Sequence, residues 1–316
     1  ASLIQRLKAL PVDASTVVFA VFVLLLFFRL IDSLIPWKIL ENLLIVPFQL
    51  TIFLLPAYFF ARYKNPKQPL DYLMHLRIRA PRLYQLPLMA TAVALMIFGT
   101  ILTSVIFAGT DSLSKGFTLY NTFVSQNSGG FFAVIGMILA YAVIPAFCEE
   151  LVFRGILCRE YERINVPCGI LVSAVFFALL HFNLGQFPVY LFSGLLLALA
   201  MYATGSLLVP MMIHCVFNIF GLFGQSYLNA FYTITGGTTG LFMFLVCLLT
   251  LGLSALFCLF ASQCYARRAK ASQMASRKLF PPADKLTSVL MKMAVTPFAL
   301  ASFFLYIIVV VILFFL

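Results

Sequence analysis

Along its 316 residues this chain repeatedly runs for about twenty positions with hardly a charged side chain. About twenty consecutive apolar residues are what an α-helix needs to cross the ~30 Å hydrocarbon core of a bilayer. Lipid also forces backbone hydrogen bonds to close within the spanning structure, which helices achieve locally. Nine such runs can be read, at about 15 to 35, 39 to 61, 84 to 108, 131 to 157, 168 to 182, 187 to 204, 206 to 223, 239 to 263 and 288 to 316. The expected fold is all-α: a polytopic membrane helix bundle of about eight or nine transmembrane helices. Composition agrees, with 63% hydrophobic and only 10% charged residues, where a soluble domain carries ~25% charged. The first run is longer than the apolar core of a signal peptide and lacks a small-residue cleavage site behind it, so it reads as a retained helix.

Basic residues set the orientation, because cytoplasmic loops collect Lys and Arg. Arg62, Lys64, Lys67, Arg77, Arg79 and Arg82 follow the second run; Arg267, Arg268, Lys270, Arg277, Lys278 and Lys285 follow the eighth. With the N-terminus (Arg6, Lys8) in the cytoplasm, nine spans put these loops and the one with Arg159 and Arg163 inside. The outer loops keep little beyond Lys38 and Lys115. The formal charge of +11 is thus a topology signal and an attraction to anionic lipid, not a nucleic-acid surface. The seven cysteines show no CxxC pair and read as small apolar packing residues.

Three regions differ in texture: 1 to 128, with three spans and a basic loop; 129 to 224, with four closely connected spans; and 225 to 316, with two spans around a basic loop. The middle region, bounded by N-terminal and C-terminal transmembrane helices, is the expected catalytic core. It holds the adjacent pair Glu149 and Glu150 in "AFCEELVFRG" and two of the three histidines. His75, in the basic loop, is expected to have no chemical role. Ionisable groups inside a membrane are costly and mark function more often than packing.

Spacing sorts these residues. Glu150 and Arg154 are four apart on one helix face in the order that favours an ion pair, while Glu149 is turned ~100° away. Pro145, four before Glu149, removes a helical hydrogen bond and is expected to kink the helix. Phe177 and His181 in "FFALLHFN", and His214 and Asn218 in "VPMMIHCVFN", are further four-residue pairs. At 1.5 Å per residue, Glu149, His181, His214 and Asn218 lie roughly 12 to 21 Å above the inner ends of their helices. They can therefore share one depth, in a site expected to open toward the cytoplasm. A carboxylate and an imidazole facing one cavity can hold and deprotonate a water, and a second histidine with an amide one turn away can donate to an oxyanion.

These residues resemble the motifs of the CPBP (Abi) intramembrane proteases, a family that includes the type II CAAX prenyl endopeptidases: EExxxR at Glu149, Glu150 and Arg154, FxxxH at Phe177 and His181, HxxxN at His214 and Asn218. The run-up "YATGSLLVPMMIHCVFN" is similar as well. The resemblance implies a conical intramembrane cavity and an endopeptidase in which Glu149 activates water with His181. His214 and Asn218 would stabilise the oxyanion, Glu150 and Arg154 would support the site, and Phe177 would contact substrate. It implies a peptide or protein substrate, prenylated or not, and a multi-pass place in a cell membrane among lipids, as in the many bacterial members linked to bacteriocin maturation, self-immunity or surface-protein display. No cofactor is expected; the alternative is Zn²⁺ held by Glu149, His181 and His214. HExxH, a GxSG serine and paired intramembrane aspartates are absent, which sets aside other membrane-protease types. Two further readings stand beside the enzyme. One is a non-catalytic scaffold or immunity protein; the other is a transporter, which the lack of mirrored halves disfavours.

Overall fold

The computed structural model describes residues 12–34, 41–74, 76–108, 131–162, 165–271 and 296–315. His75, Arg163, and the expected loop residues Arg6, Lys8, Lys38, Lys115, Arg277, Lys278 and Lys285 lie outside them. Among the described residues every regular element is helical. Helix α1 (Val12–Leu34) packs on α2 (Glu41–Lys64); the short α3 (Pro69–Met74) and a 3₁₀ turn lead into α4 (Leu86–Ala108). Then comes α5, an unbroken helical run over residues 131–162, followed by α6 (Val166–Leu179), α7 (Phe187–Thr204), α8 (Leu208–Phe223), α9 (Gln225–Ile234), α10 (Thr239–Ala271) and α11 (Pro297–Phe315).

Among the described residues six helices are long and apolar enough to cross a bilayer, and α8 with α9, meeting at a 73° bend, can form a seventh span. Helices α6 and α11 are apolar but shorter. The chain is thus a multi-pass membrane protein, and each of the nine apolar runs of the sequence overlaps a helix, with residues 288 to 295 of the last run outside the described residues. Their lengths are unequal: the 14 residues of α6 rise only ~21 Å, whereas the 33 of α10 reach on the order of 50 Å.

Helix α5 differs from expectation at Pro145. No break occurs there. The turn before it, Leu139–Val143, is π-helical, and the Ile144 N–H reaches back to the Leu139 carbonyl. A π-turn bonds five residues back instead of four, so the wider turn accommodates the proline that would kink an α-helix. The α-helical stretch Ile144–Glu150 follows, then a second π-helical segment, Leu151–Cys158, and a last turn, Arg159–Glu162.

The charged loops gather at one end of the bundle. Glu160, 1% exposed, pairs with Lys64 at 3.1 Å and accepts a hydrogen bond from Tyr72 Oη at 2.8 Å. Arg77 pairs with Glu162, and its carbonyl takes the Leu207 N–H at 2.9 Å. Ser206 donates to the Arg79 carbonyl, Gln85 to that of Thr204 and Arg268 to that of Tyr202. These bonds tie together segments distant in the chain, so the C-terminal ends of α2, α5, α7 and α10 share one face, the basic end. Immediately above it the core is solid: Val152, Phe153, Ile156, Leu157, Leu76 and Leu207 are fully buried. Packing is close at Gly155, where a Cβ would lie 3.1 Å from Leu207 Cδ2 and 3.2 Å from Leu76 Cδ1.

Candidate active site

Glu150 and Arg154, both with side chains wholly buried, form the centre of the polar cluster. Arg154 Nη1 donates to Glu150 Oε1 at 2.7 Å, and Nη2 donates to the Gly194 carbonyl of α7 at 2.9 Å. The guanidinium carbon stands 4.3 Å from the centroid of the Phe177 ring on α6. The same Glu150 oxygen accepts from His214 Nδ1 on α8 at 3.0 Å. One ion pair therefore ties α5 to three neighbouring helices. Gly194 makes this possible: a Cβ there would fall 3.0 Å from Ala174 Cα, so only glycine lets α7 come this close to α6 with its carbonyl turned to Arg154.

Glu149 takes no part in that network. It is half-buried, and its Oε2 is buried with no hydrogen-bond partner. His214, Glu150 and Arg154 are its electrostatic neighbours. An unpaired buried carboxylate oxygen is expensive; Glu150 carries one too in its Oε2, but its Oε1 is fixed by two partners.

His181 lies just past the end of α6, where the helix tightens: the Phe182 N–H bonds to the Leu179 carbonyl three residues back. Phe182 then turns the chain in a left-handed conformation, φ 47°, unusual for a bulky residue. Its ring is held by Phe22 of α1, centroids 5.3 Å apart, and by Tyr306 of α11, 5.8 Å. His181 Nδ1 meets the Phe177 carbonyl at 3.0 Å. Since a carbonyl only accepts, Nδ1 carries the proton and Nε2 keeps its lone pair. By the same reasoning His214 gives its Nδ1 proton to Glu150. Phe177 contacts both imidazoles, with centroids 5.2 and 5.8 Å away, and is 2% exposed. It therefore spaces the two rings from within and offers almost no surface for the substrate contact expected of it.

The fold thus joins Glu150, Arg154, Phe177, His181 and His214 through direct contacts, with Glu149 next to them. No hydrogen bond links Glu149 to His181 directly, and Asn218, half-buried one turn beyond His214, takes no side-chain hydrogen bond from another described residue. Residues 131–220 match the family model described as type II CAAX prenyl endopeptidase Rce1-like. The match supports assigning this part of the chain to the CAAX-protease (CPBP) family. No curated protein and no solved structure matches the chain.

Two residues near the polar cluster escaped sequence reasoning. Tyr190, at the start of α7, lies flat against His181, with centroids 3.6 Å apart and planes at 10°, and it interacts electrostatically with Glu149 and Arg29. Arg29, on α1, stands 6.0 Å from the Phe182 ring and acts on His181 as well. A tyrosine among so many aromatics carried no signal, and Arg29 lies a long way from the motifs in sequence. The donor set also bears on a metal. Among the described residues no three His, Cys, Asp or Glu side chains are grouped as ligands, and the Arg154 cation stands within the cluster.

Proposed function

We propose that this CAAX-protease-family protein is a membrane endopeptidase of the glutamate type, with Glu149 as general base. The observation that carries the reading is the contrast within the glutamate pair: Glu150 Oε1 is held by both Arg154 and His214, while Glu149 accepts a bond from neither; a buried Oε2 without a partner is common to both. In the proposed reaction Glu149 takes a proton from a water whose second contact is the Nε2 lone pair of His181. The water oxygen attacks the scissile carbonyl carbon. The resulting oxyanion accepts hydrogen bonds from protonated His214 Nε2 and from the Asn218 amide, with the Glu150 carboxylate balancing the imidazolium charge. Glu149 then passes its proton to the departing amide nitrogen as the C–N bond breaks. The groups supply general base catalysis and oxyanion stabilisation, the usual sources of acceleration in peptide hydrolysis.

The basic end is proposed to face the cytoplasm with the N-terminus, by the distribution of Lys and Arg, in the membrane of a bacterial cell. Substrates are peptide or protein chains. Lipid contact is supported by the apolar groove between α1 and α2, lined by Val17, Val23, Leu55 and Phe59, whose volume of about 540 Å³ suits an acyl or isoprenoid chain. The test is hydrolysis of internally quenched peptides, prenylated and unprenylated, by protein reconstituted in liposomes. Cleavage that is lost in Glu149→Gln and His181→Ala and kept under a strong chelator is the expected result. Full cellular function in Glu149→Gln would favour the scaffold reading instead.

A further inference from the structure

The cations of the basic end fall into two sets. Lys64 and Arg77 are taken up by Glu160 and Glu162, and Arg268 donates to the Tyr202 carbonyl. Arg79, Arg82, Arg267 and Lys270 are exposed, and among the described residues no carboxylate pairs with them.

The second set surrounds one short stretch of chain, residues 77–85, that is fastened along its length. The Leu207 N–H bonds to the Arg77 carbonyl at 2.9 Å, and the Ser206 hydroxyl to that of Arg79. Gln85, 3% exposed, accepts the Arg82 N–H on its side-chain oxygen at 3.0 Å and donates to the Thr204 carbonyl at 3.4 Å. Beside it Tyr84 meets Arg267 of α10, whose guanidinium carbon stands 4.9 Å from the ring centroid, a cation over an aromatic face. Arg267 and Lys270, three apart on α10, share a helix face. Cations from the stretch before α4 are thus brought beside cations from the end of α10, and the two helices pack on each other.

The level of this cluster in the membrane is equally specific. The apolar span of α4 begins at Leu83 and that of α10 ends at Lys270, so Arg82, Arg267 and Lys270 stand where hydrocarbon gives way to headgroups. The same stretch turns apolar side chains outward: Leu83 is 85% exposed, Leu86 48% and Ile78 46%. Water alone would leave these aliphatic groups wet, and hydrocarbon alone would leave unpaired guanidinium groups at high cost. An amphiphile with an anionic head suits both. Its phosphate oxygens accept from guanidinium N–H groups, two at a time, while its chains lie against Leu83 and Leu86.

We propose that residues 79–84 and the end of α10 form a binding site for an anionic phospholipid, its phosphate held chiefly by Arg82 and Arg267 and its acyl chains on the apolar surface at the start of α4. Basic pockets between membrane helices hold headgroups of this kind. The bound phosphate also offsets the repulsion between the two arginines, so the lipid clamps the start of α4 to the end of α10. The site lies apart from the polar cluster and stands whether or not the chain hydrolyses peptides.

Native mass spectrometry of the detergent-solubilised protein, titrated with phosphatidylglycerol or with phosphatidylcholine, tests it. The unsubstituted protein should hold phosphatidylglycerol in preference. A basic residue near an anionic surface is worth roughly a factor of five, so Arg82→Gln with Arg267→Gln should weaken phosphatidylglycerol about thirtyfold and leave phosphatidylcholine unchanged. Arg62→Gln with Lys67→Gln makes the same change of charge elsewhere on the basic end and should keep the preference. An equal loss in both double variants would mean a diffuse field with no site, and overturns the proposal. Arg82→Lys with Arg267→Lys, which keeps the charge, should recover most of the binding and guards against a folding defect; no loss in a glutamine pair that unfolds at the unsubstituted midpoint also overturns it. Displacement of phosphatidylglycerol by millimolar inorganic phosphate would assign the cations to a free anion and overturn the lipid.

Discussion

His214 is bonded to Glu150 and not to Glu149, its Nδ1 3.0 Å from the same Oε1 that takes Arg154 at 2.7 Å. The second glutamate of the pair thereby fixes the position and tautomer of a histidine 64 residues away. It also neutralises a guanidinium that would otherwise be buried without a counterion.

The two glutamates should therefore fail in different ways. Glu150→Ala leaves Arg154 buried and unpaired, and breaking one side of a buried ion pair costs about 3 to 5 kcal/mol. Glu149→Gln removes no bond. Thermal unfolding of the detergent-solubilised protein should show a large drop for Glu150→Ala and almost none for Glu149→Gln, with hydrolysis lost in both.

Gly194→Ala tests the close approach of α7 to α6. The added Cβ would meet Ala174 Cα at 3.0 Å and its carbonyl oxygen at 3.1 Å, and backbone atoms cannot step aside as a side chain could. Overpacking of this kind costs ~1 to 3 kcal/mol. The Gly194 carbonyl would also shift from Arg154, so lowered stability should come with lowered activity. Unchanged values of both would show that the helices can part freely.

Tyr190 acts on His181 through its ring face. Tyr190→Phe keeps the stack and should keep the rate, whereas Tyr190→Ala frees the imidazole. An aromatic pair is worth roughly 0.5 to 1.5 kcal/mol, or about a two- to tenfold loss in kcat. If Tyr190→Phe falls as far as Tyr190→Ala, the hydroxyl and not the stacking is what matters.

At the basic end, Glu160→Ala removes the partner of Lys64 and Tyr72. The loss of a buried acceptor with two donors should cost ~1 to 3 kcal/mol. Because packed core separates Glu160 from the polar cluster, the KM of the folded fraction should stay the same while the unfolding midpoint falls. A changed KM would mean that the basic end transmits to the site.

What the sequence revealed was mostly local. The span 187 to 204 matches α7 residue for residue, because a run of apolar residues between Pro188 and Gly205 has sharp ends. The four-residue spacing of Glu150 and Arg154, and of Phe177 and His181, foretold direct contacts within a helix or at its end. The partner of His214 was not legible, since two carboxylates one residue apart are equally available to a distant helix until the packing chooses. The π-helical turns were hidden because a helical wheel assumes one constant turn angle.

The two π-helical segments of α5 enclose the seven residues Ile144–Glu150 like a swivel at each end. Each wide turn shifts the angular phase of the residues beyond it relative to a regular α-helix. The azimuth of the glutamate pair is thereby uncoupled from the lipid-facing stripe above it and from the anchoring contacts of Glu160 and Glu162 below. The helix can aim its carboxylates at α8 without rotating the surfaces by which it is seated in the bundle.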